Sequence, residues 1–457
     1  MKEPTYNWDS IHSSILANTL YKLEETKIKY FILRNYEGLP EKNNSKDVDI
    51  IIEPGKFKDV QELFIEVLRA NNISSYYQMD FERAHCCFGI DVEKKFAIHL
   101  DFIEGYANKG YEFVSFEELY ANTVMYKTFR VLNDSYDSCI LLLYKLIGCK
   151  QLKDKYQEKI YRDFTARGSN CSAVIKNIVG EKLGDEISSL IISNSFDKLL
   201  AMANDIDKVS KRRIFCRKPV ATLIGMFKFY WEKFVNMVIC PASKQHLIAV
   251  EAPDGTGKTT FIDALRIKIS EYFVTDIEKT TVYHFRPTFL ANLGAVGEKA
   301  GVMKQDKDFT NPHRAKPANP ISSLLRYIYY WVDYVIGVPI IVRKGAQFDH
   351  FPIFDRYIYD FIVDPARTRI NLPRWVRVLF AHLVKQPRLI FVLSADAETI
   401  YGRKQELSKE EIKRQLKEFR KLEKLGNHVH FIDASKRPDE MTDEAIRIIV
   451  ETFTHKI

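Results

Sequence analysis

The chain has 457 residues, of which 46% are apolar and 28% are charged, and its formal net charge is +8. This composition is typical of a folded globular protein and excludes a disordered chain. The length predicts two or three domains. The mild positive charge suits anionic ligands such as nucleotides, or a membrane surface, and gives no reason to expect nucleic-acid binding.

The seven cysteines are an odd number and form no C-x-x-C pair. We therefore expect free thiols in a reducing compartment and no zinc site. The N-terminus lacks the basic segment and apolar core of a signal peptide. The sequence contains no uninterrupted run of about eighteen apolar residues, so we expect no transmembrane helix. The expected location is the cytoplasm, with peripheral contact at the inner membrane face left open.

In chain order, residues 1–125 show the pattern helix–strand–strand–helix–strand–strand, which predicts a small α+β domain. Residues 126–205 have helical periodicity and predict a helical domain. Residues 206–244 form a connector, in which a basic cluster precedes an aromatic helix that begins at Pro219. Residues 245–457 alternate strands and helices, which predicts a doubly wound parallel sheet.

The connector has two interpretations. Residues 208–238 could lie on an anionic bilayer, because basic side chains are followed by an aromatic helix face. That face carries Leu223, Phe227, Tyr230, Trp231, Phe234 and Val238. The alternative, that the helix packs one domain on another, is favoured because a multidomain chain needs such packing.

The stretch "APDGTGKTT" lies between a buried-type strand and an amphipathic helix and nearly matches the phosphate-binding pattern G-x-x-x-x-G-K-[ST]. Ala252 occupies the first glycine position, which costs little if its dihedral angles are ordinary. Backbone N–H groups of such a loop and the helix N-terminus surround a polyphosphate, Lys258 reaches its outer phosphates, and the Thr259 hydroxyl binds Mg²⁺. The predicted nucleotide-binding residues are Asp254, Gly255, Thr256, Gly257, Lys258, Thr259 and Thr260.

Four later motifs follow this loop: "HFRP", "FPIFDRYIYD", "ADAETIYGRKQELSKEEIKRQ" and "FIDAS". With the loop, they resemble the thymidylate kinase family of nucleoside-monophosphate kinases over residues 246–457, in the family's order. The resemblance implies an ATP-dependent kinase that uses Mg²⁺ to move the γ-phosphoryl group to an acceptor.

The resemblance also assigns roles. Asp355 would hold Mg²⁺ together with Thr259, and Arg356 and Arg286 would clamp the acceptor phosphate. Asp254 would contact the sugar hydroxyl of the acceptor. The lid would supply a catalytic cation from Arg403, Lys404 or Arg414, although this charged helix also fits solvated i,i+4 pairing.

The chain departs from the family after the D-R-Y motif. The element S-x-x-A-Y-Q, which contacts thymine in the family, is replaced by "IYDFIVDPARTRINLP", with Asp360, Asp364, Arg367 and Arg369. Thymine selectivity is therefore not supported. The expected acceptor is another nucleotide, or a phosphorylatable sugar, glycan or lipid-linked sugar.

The segment "FILRNYEGLP…SKDVDIII…AIHLDFI" resembles the nucleotidyltransferase superfamily. The resemblance makes Asp47, Asp49 and Asp101 a metal-binding set, since alternate strand residues share a face. Arg34 and Asn35 replace the family's Gly-Ser, so retention of the transfer activity stays open. We assign no chemistry to the neighbouring His85, Cys86, Cys87 and His99.

Three functions follow. The first is an ATP-dependent kinase whose partners are a nucleotide donor and a small-molecule or glycan acceptor. The second is a nucleotidyltransferase in the N-terminal domain, with a regulatory phosphate-binding domain. The third is a non-enzymatic ATP-binding scaffold. A homodimer also stays open.

Overall fold

The computed structural model describes residues 8–43, 45–240, 244–291, 319–348, 350–426 and 428–457. The chain forms two compact units. The N-terminal unit contains Tyr6–Asp91, Phe96–Lys233 and His455–Ile457, and the C-terminal unit consists mainly of Phe234–Thr454. The finer division into four domains stays a prediction.

The N-terminal unit contains a mixed sheet followed by helices. Its first elements are α1 (Ser10–Glu25), β1 (Tyr30–Ile32), β2 (Val48–Ile52), α2 (Phe57–Ala70), β3 (Ser75–Phe81), β4 (Ala84–Asp91), β5 (Phe96–Glu104), β6 (Ala107–Asn108), β7 (Tyr111–Glu112), α3 (Phe116–Ala121), β8 (Thr123–Tyr126) and β9 (Phe129–Leu132). The helical part comprises α4 (Asp134–Leu143), a π-helical segment (Tyr144–Cys149), α5 (Asp154–Val179), α6 (Glu181–Ile192), α7 (Phe196–Ala201), α8 (Ala203–Arg217) and α9 (Pro219–Phe234).

The C-terminal unit alternates strands and helices, as the sequence predicts. After a second π-helical segment (Val235–Ile239), its elements are β10 (Ile248–Glu251), α10 (Lys258–Tyr272), a 3-10 turn (Ile277–Lys279), β11 (Val282–His284), α11 (Pro320–Phe348), β12 (Ile353–Asp355), α12 (Asp360–Val363), α13 (Arg374–His382), β13 (Leu389–Ser394), α14 (Ala397–Arg403), α15 (Lys409–Arg420), a 3-10 segment (Lys421–Leu425), β14 (Val429–Asp433) and α16 (Pro438–Phe453). The final strand, β15 (His455–Lys456), belongs to the N-terminal unit.

The N-terminal sheet has the strand order β15-β3-β4-β5-β2-β1-β9-β8. All five residues of β2 are buried, as expected for a central strand covered on both faces. On one face, α2 buries Phe57, Val60 and Phe64 at helical spacing. On the other, residues of α4 to α8 share a core with Phe31 and Ile51 of the sheet. The helical segment therefore packs on the sheet.

The C-terminal sheet has the order β11-β12-β10-β13-β14, and its paired strands are parallel. The mixed α/β class with a parallel sheet is thus confirmed. The first strand, β10, lies in the centre of this sheet. The next two strands, β11 and β12, lie on one side of it, and β13 and β14 lie on the other. In such sheets, ligands bind beyond the carboxyl ends of the strands where the winding direction changes. The loop after β10 lies at this position.

The aromatic helix begins at Pro219, as predicted. The six apolar side chains assigned to one of its faces, from Leu223 to Val238, are 45–68% exposed. Packing of this helix between domains stays a prediction. Membrane contact through residues 208–238 stays a prediction.

Helix α11 is long and apolar enough over Pro320–Ala346 to cross a membrane, although the sequence suggested no such segment. One third of its most apolar window is buried inside the protein. A single helix of this kind is weak evidence for a membrane span, because core helices of soluble proteins have the same length and composition.

Candidate functional site

The glycine-rich loop, residues 252–257, connects β10 to α10. Gly255 and Gly257 have φ angles of +89° and +85°, a region that side chains with a Cβ rarely adopt. The Thr256 hydroxyl donates to the Pro253 carbonyl at 2.9 Å and fixes the turn. Ala252 is buried at the end of the strand. The loop therefore has the strand–loop–helix setting that a phosphate-binding loop requires.

The first turn of α10 presents polar groups next to this loop. Thr259 and Thr260 are exposed, so both are accessible to a ligand. Lys258 is largely buried, and its ammonium group donates to Asp355 Oδ1. Burial, with a further contribution from the nearby Arg356, lowers the pKa of Lys258 to about 7. An anionic ligand at this position would favour the charged lysine.

Asp355 ends β12, as the sequence predicts, directly beside the glycine-rich loop. Its Cα is in register with Val250 on β10 and with His284 on β11. The second oxygen of its carboxylate, Oδ2, lies 3.1 Å from Nδ1 of the exposed His284. The sheet thus holds the carboxylate of Asp355 against the ammonium of Lys258.

Arg356 turns the chain sharply after β12. It has a φ of +71°, which is unusual for a residue other than glycine, while its N–H donates to Val250 O at 3.0 Å. Its guanidinium donates to Asp254 Oδ1 in the glycine-rich loop and lies 3.9 Å from Asp360. This backbone conformation directs the buried guanidinium back to the loop.

Asp254 binds a second arginine, Arg367, through its other oxygen. Burial alone would raise the pKa of Asp254, but Arg356 and Arg367 outweigh burial, so its pKa is lowered. Arg367 also lies 3.7 Å from Asp360 and 3.3 Å from Asp364. Two arginines and three carboxylates therefore form one network beside the loop.

Two carboxyl groups, Asp360 of this network and the neighbouring Glu251, are deeply buried. Glu251 is fully buried, and one of its oxygens accepts the N–H of Tyr357 at 2.8 Å. Burial raises the pKa of Glu251 well above its usual range, and the nearby Asp360 adds to the effect. Burial also raises the pKa of Asp360. These two groups therefore contribute less negative charge than their number suggests.

Arg286 of "HFRP" lies 3.4 Å from Asp333 of α11, and its guanidinium stacks on Tyr330 at 5.1 Å. Asp333 is fully buried and also accepts the N–H of Leu290 at 2.7 Å. The contacts of Asp333 with Arg286 and Leu290 therefore hold the turn after β11 against α11. The role of Arg286 in binding an acceptor phosphate stays a prediction.

A cavity of about 340 Å³ opens next to Arg356. Four arginines, two aromatic residues and a threonine line it: Arg326, Arg356, Arg367, Arg369, Phe285, Tyr330 and Thr368. Arg326 comes from α11 and donates to Thr368 O at 3.4 Å. We call this space the arginine cavity.

The lid cations lie in different settings. Arg403 is exposed at the end of α14 and donates to Ala434 O at 2.8 Å. Arg414 is held by Glu411 and donates to Val363 O. Lys404 lies beside the loop, because a Cβ added to Gly255 would come within 3.1 Å of the Lys404 Cβ. A catalytic role for Arg403 stays a prediction, and Lys404 is the candidate whose backbone lies beside the loop.

The three N-terminal carboxylates lie near one another but are engaged by protein groups. Asp49 and Asp101 are register partners on β2 and β5, and Asp47 directly precedes β2. Arg34 Nε donates to Asp49 at 2.6 Å, so a guanidinium neutralises the carboxylate that the sequence assigns to metal. Asp47 accepts the hydroxyl of Ser45 at 2.9 Å. Metal binding by this set stays a prediction.

The sequence assigned no chemistry to Cys86 and His99, yet both lie beside Asp101. One ligand atom from each of these three side chains lies within 4.8 Å of the other two, a spacing that could hold a metal ion. His99 Nε2 is 2.8 Å from Asp101 Oδ1. The i,i+2 spacing of His99 and Asp101 on one strand could have revealed this cluster.

Three residues of the C-terminal network were also missed: Glu251, Arg326 and Asp333. Arg326 and Asp333 are charged residues within an otherwise apolar helix, and this contrast was the available signal. Glu251 gave the same signal, because it is a charged residue at the end of the otherwise apolar strand β10.

Comparison with protein-family models and with curated proteins finds no match. Among solved structures, a thymidylate kinase from Ehrlichia chaffeensis is similar to this chain with 18% sequence identity and a TM-score of 0.30. The similarity covers 44% of this chain and 97% of the thymidylate kinase. At this TM-score the likeness carries no weight for function, and the site geometry has to support any proposal.

Proposed function

We propose that this chain is an ATP-dependent phosphotransferase whose active site lies in the C-terminal unit. The observation that supports this most is the convergence of Lys258, Asp355 and Arg356 at the carboxyl ends of two adjacent parallel strands, around the glycine-rich loop. A cation, a candidate Mg²⁺ ligand and a bidentate anion clamp are the groups that phosphoryl transfer needs.

The residues present fit ATP and Mg²⁺. The exposed Thr259 hydroxyl and the Asp355 carboxylate would hold the ion, and Asp254 to Thr260 would bind the nucleotide phosphates. When bound, Mg²⁺ neutralises charge on the β- and γ-phosphates. The ammonium of Lys258 would then bind a phosphate oxygen in place of the Asp355 carboxylate. This new contact would compensate for the loss of the Lys258–Asp355 ion pair.

The transfer itself breaks the bond between the γ-phosphorus and its bridging oxygen, whose electron pair leaves with ADP. A new bond forms from an acceptor oxygen to the γ-phosphorus. Arg356 orients the acceptor, and a lid cation, Arg403 or Lys404, balances charge on the migrating group.

The acceptor is a nucleotide or a sugar or glycan, and a phosphate group on it is the favoured nucleophile. A hydroxyl acceptor would have to give its proton to a base. Asp254 is a poor base because its two arginine partners keep its pKa low. An acceptor phosphate oxygen is already ionised at neutral pH, so it needs no base.

The nucleotidyltransferase alternative is less well supported, because Arg34 occupies the carboxylate of Asp49. One experiment separates the functions. The protein is incubated with Mg²⁺ and ATP labelled on the γ-phosphate, or separately on the α-phosphate, and with nucleoside monophosphates and free or phosphorylated sugars. We expect label from the γ-phosphate in a product, unaffected by Asp47→Ala. Transfer of α-label that Asp47→Ala abolishes would support the N-terminal alternative instead, and ATP binding without any transfer would indicate a scaffold.

A further inference from the structure

Arginine side chains supply most of the hydrogen-bonding groups that line the arginine cavity, and the hydroxyls of Thr368 and Tyr330 supply the others. Arginine carries five N–H donors and no acceptor, and four arginines face this space of about 340 Å³. A nucleobase edge presents both donors and acceptors, so guanidinium groups alone satisfy it poorly. Phosphate and carboxylate groups, which only accept, match this lining.

The acids of the surrounding network lie behind the arginines. Asp254 binds Arg356 and Arg367 from the side of the glycine-rich loop, and Asp360 and Asp364 contact Arg367. No carboxylate lines the cavity within the part of the chain that the structure describes. The cavity therefore has a positive lining although its supporting network is nearly balanced.

Arg326 and Arg369 belong to two different segments of the chain that line this cavity together with Arg356. Arg326 projects from α11 and is tied to the main chain at Thr368. Arg369 follows in the same loop and has a φ of +60°, a conformation that is unusual for arginine. Arg356 lies between these two residues and the glycine-rich loop, because it both lines the cavity and binds Asp254.

We propose that the acceptor carries two anionic groups, one that receives the phosphoryl group at Arg356 and a second that Arg326 and Arg369 bind in the arginine cavity. This inference rests on the proposed kinase function and names its substrate class: a small phosphate ester with a further phosphate or carboxylate. Phe285 and Tyr330 provide apolar surface for the carbon skeleton between the two groups. The second group is a specificity contact and takes no part in bond making or breaking.

The test compares acceptors that differ only in the second anion. Binding is measured by titration calorimetry in the presence of Mg²⁺ and a non-hydrolysable ATP analogue, which occupies the glycine-rich loop. The probes are glucose 1,6-bisphosphate against glucose 6-phosphate, 6-phosphogluconate against sorbitol 6-phosphate, and adenosine 3′,5′-bisphosphate against adenosine 5′-monophosphate. We expect at least one two-anion compound to bind about tenfold more tightly than its partner. The phosphate and carboxylate pairs distinguish the two sources of the second charge.

Variants locate the effect. Arg326→Gln and Arg369→Gln should each remove this preference, whereas Arg326→Lys, which keeps the charge, should retain part of it. Arg437→Gln changes an exposed arginine at the N-cap of α16 and is the matched control, expected to leave the preference intact. Equal affinities within every pair, or a preference that survives both glutamine variants, would overturn the proposal.

Different results would refute the kinase function and the second anion site. A two-anion compound that binds through Arg326 and Arg369 but never takes up γ-label would leave the second anion site standing and refute the phosphotransferase. Transfer to a single-anion acceptor that is as efficient as transfer to its two-anion partner would confirm the kinase and refute the second site.

Discussion

The ammonium of Lys258 and the carboxylate of Asp355 form an ion pair across the carboxyl ends of two parallel strands. Both groups have a proposed ligand of opposite charge, phosphate for the lysine and Mg²⁺ for the aspartate. Without ligand each neutralises the other in a largely buried place, which avoids an unpaired charge. Binding of a metal–nucleotide complex would exchange one ion pair for two favourable contacts.

The Lys258→Ala variant tests this arrangement. We expect phosphoryl transfer to fall by at least about 100-fold, since removing one preorganised donor to transition-state charge has that effect in other enzymes. The measurement is the steady-state kcat/KM for ATP. Lys268→Ala is the matched control, because Lys268 lies on the same helix and pairs with Asp443. Retained activity in the Lys258→Ala protein would refute the proposed active site.

A second prediction concerns Asp355→Asn, which keeps the shape of the side chain and removes its charge. The Mg²⁺ concentration needed for half-maximal rate should rise about tenfold or more, because a neutral amide is a weaker ligand for this ion. The matched control is Asp433→Asn. Asp433 ends β14 of the same sheet, and its carboxylate accepts the backbone N–H of Ser435. An unchanged Mg²⁺ dependence would remove Asp355 from the metal site.

A third prediction concerns Arg34 in the N-terminal unit. Arg34→Ala leaves the buried Asp49 without its guanidinium partner, so the unit should lose about 3 kcal/mol of stability. Urea denaturation of the full chain gives the change, and hydrogen exchange of the β2 amides assigns it to this unit. Adding Asp49→Asn to the Arg34→Ala protein should recover part of the loss, because it removes the unpaired charge. No recovery would show that packing of the arginine stem causes the effect.

The order of strands and helices in the C-terminal unit was predictable, because apolar periodicity reports which faces are buried. The same holds for Asp355, whose place at the end of β12 followed from a short apolar run. The pairing of Asp254 with Arg356 and Arg367 was not predictable. It depends on a positive φ at Arg356 and on contacts between residues more than 100 positions apart.

For the N-terminal carboxylates, the sequence predicted which acids lie together but did not predict which cation binds them. Asp47, Asp49 and Asp101 were expected together, and the register of β2 and β5 does place Asp49 beside Asp101. Sequence spacing says nothing about which cation neutralises them. That Arg34 binds Asp49 depends on where the chain after β1 turns, and side-chain charges alone do not specify that turn.

A fourth prediction concerns acid stability of the C-terminal unit and His246. Burial, with a further contribution from Arg388, lowers the pKa of this histidine from 6.5 to about 3. Its ring packs between Phe351 and Phe453. Below pH 6.5 the unfolded chain binds a proton at this residue and the folded protein does not, so stability is lost as the pH falls from 6.5 to about 3. The loss is about 1.4 kcal/mol per pH unit within that window.

The measurement is the free energy of unfolding in urea at pH 7.5 and pH 5.5 for the parent and His246→Leu proteins. Other groups titrate in this range, so the informative quantity is the difference between the two proteins. His246→Leu should lose less stability on acidification than the parent, by about 1.4 kcal/mol for the pH unit below 6.5. The exposed His382→Gln is the control and should follow the parent. Parallel losses in the parent and His246→Leu proteins would mean that His246 is protonated in the folded state, which its buried position between two phenylalanine rings argues against.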